Sequence, residues 1–412
     1  MQLLANRARA RISSRPVARL RRIVIGLYLA IAAADAAGKA LATSPAINRA
    51  ASRIVRPQQA LGLRDAARPS GNFEIFRLAS LHLVSGEDMY AAYPDEQGDR
   101  FKYSPSFALL FAPFALLYWP IALFLWHLLN MGLIFVAVDR VLPKRAAVLA
   151  QFLLVLEVLR GQQNAQSNAL VAALIILAYS SLEKGQSWKT AISVALGASV
   201  KIFPLAALTF AIPRRKVFST GWWTIVAGTA LAALPLIVTS PAQLLAQYRS
   251  WQGIESVDAQ QRWFSVMELL HRITGADLPN WPVQLAGTLC LLLPLVMRRD
   301  RWTEARFRFL YLCSVLMYVV LFNHQAERAS YLIAFTGATL WFAGEPRAEW
   351  RSIMYGIALF TIPVMSTLVP GAIWRDQTVT LFRLALPSLA IWCAIQWALL
   401  RPAVSTPEPV TP

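Results

Sequence analysis

An all-α protein threaded many times through a membrane is the fold class this sequence predicts, and three observations predict it. The 412 residues are 57% hydrophobic and only 15% charged, with a mean hydropathy of +0.46. Soluble domains of ordinary make-up are about 45–50% apolar and about 25% charged. Apolar runs near the length of a bilayer crossing recur along the whole chain, and none has the alternation of a strand. The few charges are lopsided, 40 Lys and Arg against 22 Asp and Glu. This make-up excludes a soluble multidomain protein and a disordered one.

Taken in order, the apolar runs lie at 23–42, 106–118, 121–138, 146–159, 166–182, 190–212, 222–239, 282–297, 307–322, 330–343, 352–370 and 380–400. A bilayer core takes about 20 apolar residues in a helix. Several runs are shorter, which suits tilted, broken or re-entrant helices, so about nine to twelve crossings are expected in a single membrane domain spanning 1–412. Arg7, Arg9, Arg11, Arg15, Arg19, Arg21 and Arg22 precede the first run with no acid among them. By the positive-inside rule, 1–22 is expected to be a cytoplasmic tail. Asp35 and Lys39 inside the following run argue for an uncleaved first span over a signal peptide.

Breaks at Trp119-Pro120 and around Lys201–Pro204 would bring every short basic loop to the same side. These loops are 139–145, 183–189, 214–216, 298–308 and 345–351, joined by the carboxy-terminal tail, 402–412 with Arg401. With the amino-terminal segment they carry 23 basic against 7 acidic residues, leaving 17 against 15 for the rest of the chain. The expected protein is multi-pass, in the cell inner (plasma) membrane, with its amino terminus in the cytoplasm. The basic excess therefore reads as topology. Nucleic-acid binding would need basic patches interleaved with aromatics on an exposed domain, and no such partner is expected.

The opposite side receives 43–105, 160–168, 240–281 and 323–329, which are rich in amides, acids, His and Tyr. In the first of these, Phe73, Ile75, Phe76, Leu78, Leu81 and Leu83 share a helix with Glu74, Arg77 and His82, the pattern of an interfacial helix. Asn72 reads as its N-cap or as part of a site. Lys102 and Tyr103 are interfacial anchors or face a phosphate. The stretch Arg160–Asn168 has Gln, Asn or Ser at six of nine positions. Such a density of amides at span depth suits a loop that binds sugar or phosphate, where interhelical hydrogen bonding is the simpler alternative. Lys201 lies in an apolar run beside Pro204, and a cation at a helix break suits an anionic headgroup. Loop 240–281 carries Glu255, Asp258, Arg262, Ser265 and Glu268. Near 323–329, Asn323, His324 and Glu327 fall at helical spacing. Cys290, Cys313 and Cys393 sit in apolar runs as small buried hydrophobes. No soluble catalytic motif and no metal-ligand spacing occurs, and neither metal nor cofactor is expected.

These elements follow one another in a recognisable order. Asn72-Phe73-Glu74-Ile75-Phe76 is followed by Gly86-Glu87-Asp88-Met89-Tyr90 and Tyr103-Ser104-Pro105. Trp126 and Asn130 come next on one helix, then Gly161-Gln162-Gln163-Asn164, Lys201 with Pro204, and Asn323-His324. Over about residues 70–345 the order resembles glycosyltransferase family 87, the polyprenyl-phosphate-mannose-dependent mannosyltransferases and their relatives with the GT-C fold. The resemblance implies a cell-envelope hexosyltransferase. Its donor would be a polyprenyl-phosphate sugar, its acceptor a glycolipid or glycan, and the transfer would invert configuration on the extracytoplasmic face.

The resemblance also implies roles. An acid in the first outer loop acts as general base; this chain has Asn72 where many relatives have Asp, so Glu74, or else Asp88 or another outer acid, supplies the carboxylate; Glu74 is the expected one, with Asn72 orienting acceptor or phosphate. His324 and Glu327 assist there, Lys102, Tyr103, Lys201 and Arg262 meet the donor phosphate, and Gln162, Asn164 and Asn168 bind sugar hydroxyls. A carrier or transporter of lipid-linked sugars is the alternative that Asn72 raises.

Overall fold

The computed structural model describes residues 2–43, 71–94, 96, 99–371 and 376–402, with side chains from Pro16 onward. The side chains of Arg7, Arg9, Arg11 and Arg15, loop residues 44–70, Asp95 and tail residues 403–412 lie outside the described residues. All regular structure among the described residues is helical.

Among the described residues, six helices are long and apolar enough to cross a membrane. They are Pro16–Ala42 within α1 (Gln2–Ala42), α4 (Trp119–Val141), Val217–Ile237, whose α-helical part is α9 (Val217–Ala233), α12 (Asn280–Met297), Glu349–Leu368, and α17 (Gln377–Leu400). The protein is an all-α polytopic membrane protein. Between these helices lie α2 (Gly71–Ser85), α3 (Pro105–Ala115), α5 (Lys144–Leu153), α6 (Val155–Gln163), α7 (Asn168–Glu183), α8 (Ser187–Val200), α10 (Pro241–Asp258), α11 (Val266–Thr274), α13 (Ala305–Leu321) and α14 (Tyr331–Gly344). Glu349–Leu368 comprises α15 (Glu349–Leu359), a π turn at Phe360–Val364, and α16 (Met365–Leu368).

Burial separates central helices from peripheral ones. α7 and α14 are buried on nearly all sides, as expected for apolar helices at the middle of a bundle. Gly337 lets α14 lie against α13: a Cβ there would sit 2.8 Å from the Cys313 carbonyl oxygen. Small residues at such crossings are the usual means of close approach between membrane helices. By contrast α9 keeps Phe218, Trp222, Trp223 and Ile225 exposed. Such a face is costly in water and ordinary against lipid.

Both expected breaks are present. Pro120 stands in the first turn of α4 after an interruption at 116–118. α8 stops at Val200, Lys201 is extended, and a 3-10 stretch follows over Phe203–Ala211. Pro204 has no N–H to give an α-helix, and nine residues of 3-10 geometry are long for a conformation that usually lasts three or four. A third interruption, at Leu154, parts α5 from α6 within the 146–159 run.

The helix expected near 71–85 also forms. Its apolar residues point into the protein: Phe73, Ile75, Phe76, Ala79 and Leu83 are buried. Phe76 meets the rings of Tyr103, Phe107, Phe111 and Trp126 with centroids 4.9–5.9 Å apart. Edge-to-face contacts of this kind fix α2 on α3 and α4 beyond what apolar burial alone supplies. The residues at its amino-terminal end are thereby held in place.

The basic loops come together at one end of the bundle. Arg308 clasps Glu183 with both Nε and Nη2, at 2.8 and 2.9 Å, and Arg214 approaches the same carboxylate at 3.9 Å. Arg306 and Arg351 share Glu345, Arg301 donates to the Arg401 carbonyl, and Arg21 pairs with Asp139. α7 runs from this end, at Glu183, to Asn168 at the other, about 24 Å away at 1.5 Å per residue.

Candidate active site

At the Asn168 end, the segments around Asn72, Asp99–Tyr103, the Val200–Phe203 break, α10 and residues 323–327 enclose a cavity of about 570 Å³. That is an ordinary size for a small-molecule site. Of the residues expected from the sequence, Asn72, Lys102, Tyr103, Lys201, His324 and Glu327 line it.

The helix break places Lys201. Its N–H still reaches back to Gly197 O at 2.9 Å, which closes α8, and the side chain then turns to Asn168 Oδ1 at 3.0 Å. Asn168 is the first residue of α7 and is buried. An ammonium has three N–H donors; one goes to Asn168, and Glu327 is the acid whose field acts on it. Lys102 stands on the extended segment before α3. Its Nζ lies 2.8 Å from Asp258 Oδ2 at the end of α10, and its carbonyl accepts from Trp251 Nε1 at 3.3 Å.

His324 follows the end of α13. Its Nδ1 accepts from Gln284 Nε2 at 3.1 Å, so the neutral ring carries its proton on Nε2. That N–H is buried and meets no partner among the described residues. Burial holds the imidazole below the ordinary histidine range, with Asp258 pulling the other way. The ring is accordingly neutral near pH 7 and offers an N–H donor. Glu255, on α10, accepts from Trp251 Nε1 at 3.2 Å and Gln325 Nε2 at 3.1 Å. Burial raises its carboxyl above the usual value despite these two donors.

Asn72 and Glu74 face different ways. Asn72 Nδ2 donates to Asn164 O at 2.9 Å and ties α2 to the amide loop at the cavity's edge. Glu74, about 200° further round the helix, is 3.5 Å from Arg77 Nη1 and off the cavity lining. Within the amide loop Ala165 has φ +48°, a left-handed conformation that costs a non-glycine residue about 1–2 kcal/mol. Trp126 Nε1 holds it there by donating to Ala165 O at 3.0 Å. Strained backbone of this kind clusters at functional sites. Asn164 and Asn168 thus act at one remove, through Asn72 and Lys201. Gln162 is buried behind the lining beside His127. Arg262 pairs with Asp277 and donates to Leu278 O at 2.9 Å. It lines a neighbouring hollow of about 430 Å³, which has His324 in common with the cavity.

The cavity also has walls to which the sequence gave no site role: Asp99, Arg100, Tyr248, Trp251, Gln252 and Gln325, with Glu255, Asp258 and Asn323, which the sequence marked only as polar residues of the outer loops. On α10 the helical period was the available signal, since 248, 251, 252, 255 and 258 share one face. No group of three or more His, Cys, Asp or Glu suited to a metal ion occurs among the described residues.

Chemically, the cavity joins three kinds of wall. Lys102, Lys201 and the His324 N–H can meet an anion, where a desolvated cation is worth far more than in water. Asp99, Glu255, Asp258 and Glu327 can accept a proton. Val200, Ile202 and Phe203 form an apolar side, and Ile202 is 64% exposed, so a long hydrocarbon has a way out past the break.

A family model described as Glycosyltransferase family 87 matches residues 101–322, just over half of the chain. The match takes in Lys102, Tyr103, the amide loop, Lys201, α10 and Arg262. A search of curated proteins finds no match.

Proposed function

The chain belongs to glycosyltransferase family 87, and from that membership we propose that it moves a hexose, mannose by the family's precedent, from a polyprenyl-phosphate donor to a glycolipid or glycan acceptor. As a family member it is a membrane glycosyltransferase, working on a sugar donor and an acceptor at a bilayer. The donor class is supported above all by one observation: Lys102, Lys201 and His324 line a cavity one side of which, at Val200, Ile202 and Phe203, is apolar. A polyprenyl phosphodiester needs that combination of cations and N–H donors for the leaving phosphate with an apolar exit for the chain.

In this reading the donor phosphate sits against Lys102 and Lys201 and accepts the His324 Nε2–H. Charge that builds on the departing phosphate oxygen meets groups already in position, the arrangement that lowers a transfer barrier most. A carboxylate lining the cavity takes the proton of the acceptor hydroxyl. Glu74, turned toward Arg77, does not take that part. Asn72 holds the amide loop and orients a substrate hydroxyl. Attack on the anomeric carbon from the face opposite the phosphate inverts it. The positive-inside pattern supports a cytoplasmic amino terminus, with the basic-loop end inside and the cavity on the extracytoplasmic side.

Purified protein in nanodiscs, given a short-chain polyprenyl-phosphate mannose and octyl mannoside, is expected to form a disaccharide and release polyprenyl phosphate in equal amounts. Movement of the intact donor across vesicles without any new glycosidic bond would favour a carrier instead.

A further inference from the structure

A second cavity, of about 530 Å³, lies against the first. The two share Asp99, Arg100, Lys102 and Asp258, and α10 forms the partition. Tyr248, Trp251 and Glu255 look into the first cavity, while Ser250, Gly253 and Val257 look into the second. Apart from Ile254 and Val257, the side chains that line the second cavity among the described residues are polar, charged or the ring of Tyr90, beside Gly253. Its far wall carries Asp88, Tyr90 and Ser250, with Ser250 Oγ donating to Asp88 Oδ2 at 3.1 Å. Around this open hollow the carboxylates of Asp88, Asp99 and Asp258 stand beside the hydroxyl of Ser250 and the N–H donors of Arg100 and Lys102, the mixture of acceptors and donors that a polyhydroxylated head group needs.

We propose that this second cavity receives the sugar head of the acceptor, and that Asp258, at the boundary, is the general base of the transfer. The proposal rests on the transferase reading above and names the half of the site that reading leaves open.

Among the carboxylates, Asp258 is singled out by what holds it. Both oxygens of Glu255 are taken by Trp251 and Gln325. Both oxygens of Asp88 are taken by Tyr90 N and Ser250. Glu327 lines the first cavity and not the second. Asp99 lines both and likewise keeps one oxygen without a donor among the described residues, but its Oδ1 accepts from the backbone N–H of its neighbour Arg100, at 2.8 Å, and no described side chain aims it as Lys102 aims Asp258. Asp258 Oδ2 is bound by Lys102, and Oδ1 meets no donor among the described residues. The Lys102 side chain is 41% exposed and that of Asp258 10%, so a phosphate diester arriving in the first cavity meets the ammonium from its open side and competes with Asp258 for it. Donor binding thus draws Lys102 off Asp258 and frees the carboxylate when an anomeric carbon is present to be attacked.

The step balances. The acceptor hydroxyl gives its proton to an Asp258 oxygen, and its oxygen bonds to the anomeric carbon. The bond from that carbon to the phosphate oxygen breaks, leaving the electron pair on phosphate beside Lys102 and Lys201. Asp258 returns the proton to water through the open second cavity.

The test uses the full-length protein in nanodiscs with polyprenyl-phosphate mannose and octyl mannoside. Gly253→Trp fills the second cavity from a helical position where an added Cβ meets nothing within 4 Å, and Val257→Trp fills it independently. Each is expected to raise the KM for octyl mannoside at least tenfold and to leave the KM for the donor within twofold. Asp258→Asn is expected to lower kcat about 100-fold or more, remove the acid limb of the kcat–pH profile, and leave polyprenyl-phosphate affinity equal or tighter; Asp258→Glu restores part of kcat. An active wild type whose octyl mannoside KM is unmoved by both tryptophans, or whose kcat survives Asp258→Asn, would overturn the proposal alone. An inactive wild type would overturn the transferase reading and the proposal with it.

Discussion

The two ends of the helix bundle use charge in opposite ways. At the basic-loop end, acids and arginines close on one another: Glu183 takes Arg308 and Arg214, Glu345 takes Arg306 and Arg351, and Arg301 pairs with Glu304. At the cavity end, Lys201 rests on a neutral amide and Lys102 on a single carboxylate, with the His324 N–H meeting no partner among the described residues. Cations satisfied by fixed carboxylates stabilise or orient; cations left on weak partners are ready for an anion. α7 and α13 each touch both ends, which makes the contrast open to direct attack.

The largest effect is expected at the cavity end. Lys201→Gln keeps a donor for Asn168 and removes the charge, and should cut kcat/KM for sugar transfer about 100- to 1000-fold, the usual loss when one preorganised electrostatic group is removed. Folding, followed by size exclusion in detergent, should be unaffected. Activity within threefold of wild type would remove Lys201 from the site.

At the other end, Arg308→Gln strands Glu183 beside Arg214 alone. Removing one partner of a fully buried pair costs about 3–5 kcal/mol; Glu183 is 25% exposed and keeps Arg214 nearby, so the loss should be below that range. The expected outcome is a lower Tm with unchanged kcat. A large loss of kcat at unchanged Tm would erase the difference between the ends.

Glu255 sharpens the comparison through pH. Its carboxyl is raised by burial, so the folded protein holds this proton more tightly than the unfolded chain does. Stability contributed by that preference is present at low pH and is lost as pH rises through the raised value. Glu255→Gln has no such loss, so its Tm relative to wild type should climb between pH 4 and pH 7. A difference that stays flat would place the Glu255 carboxyl at its ordinary value. The smallest effect belongs to Glu74→Gln: turned toward Arg77 by a half-exposed pairing, it should leave transfer within about threefold, the scale of an ion pair worth under 1 kcal/mol.

Much of the fold was legible because bilayer crossing imposes length and apolarity that no soluble helix needs. The breaks at Pro120 and Pro204 were legible because proline withholds an N–H, and the position of Lys201 followed from the second break. The interruption at Leu154 carries no such mark. The site was legible in part. Lys102, Lys201, Asn72, His324 and Glu327 stood out as polar residues bordering apolar runs, and they share one cavity. The partner of Lys102 did not, because Asp258 lies 156 residues further on and spacing says nothing about contacts at that range. Glu74 was attractive by its nearness to Asn72 in sequence; two residues along a helix turn it to another face. Arg262 stands out in sequence as an outer-loop cation, and its pairing with Asp277, 15 residues further on and exposed, carries no mark in the sequence.

The central claim is that the cavity at the Lys201 break holds the phosphate of a polyprenyl donor. A structure of the protein with polyprenyl phosphate bound tests it most directly. The expected result is a phosphate hydrogen-bonded to Lys102, Lys201 and His324 Nε2, with the chain leaving past Ile202 and Phe203. A phosphate bound elsewhere, with Lys102 still on Asp258 and Lys201 still on Asn168, would contradict it.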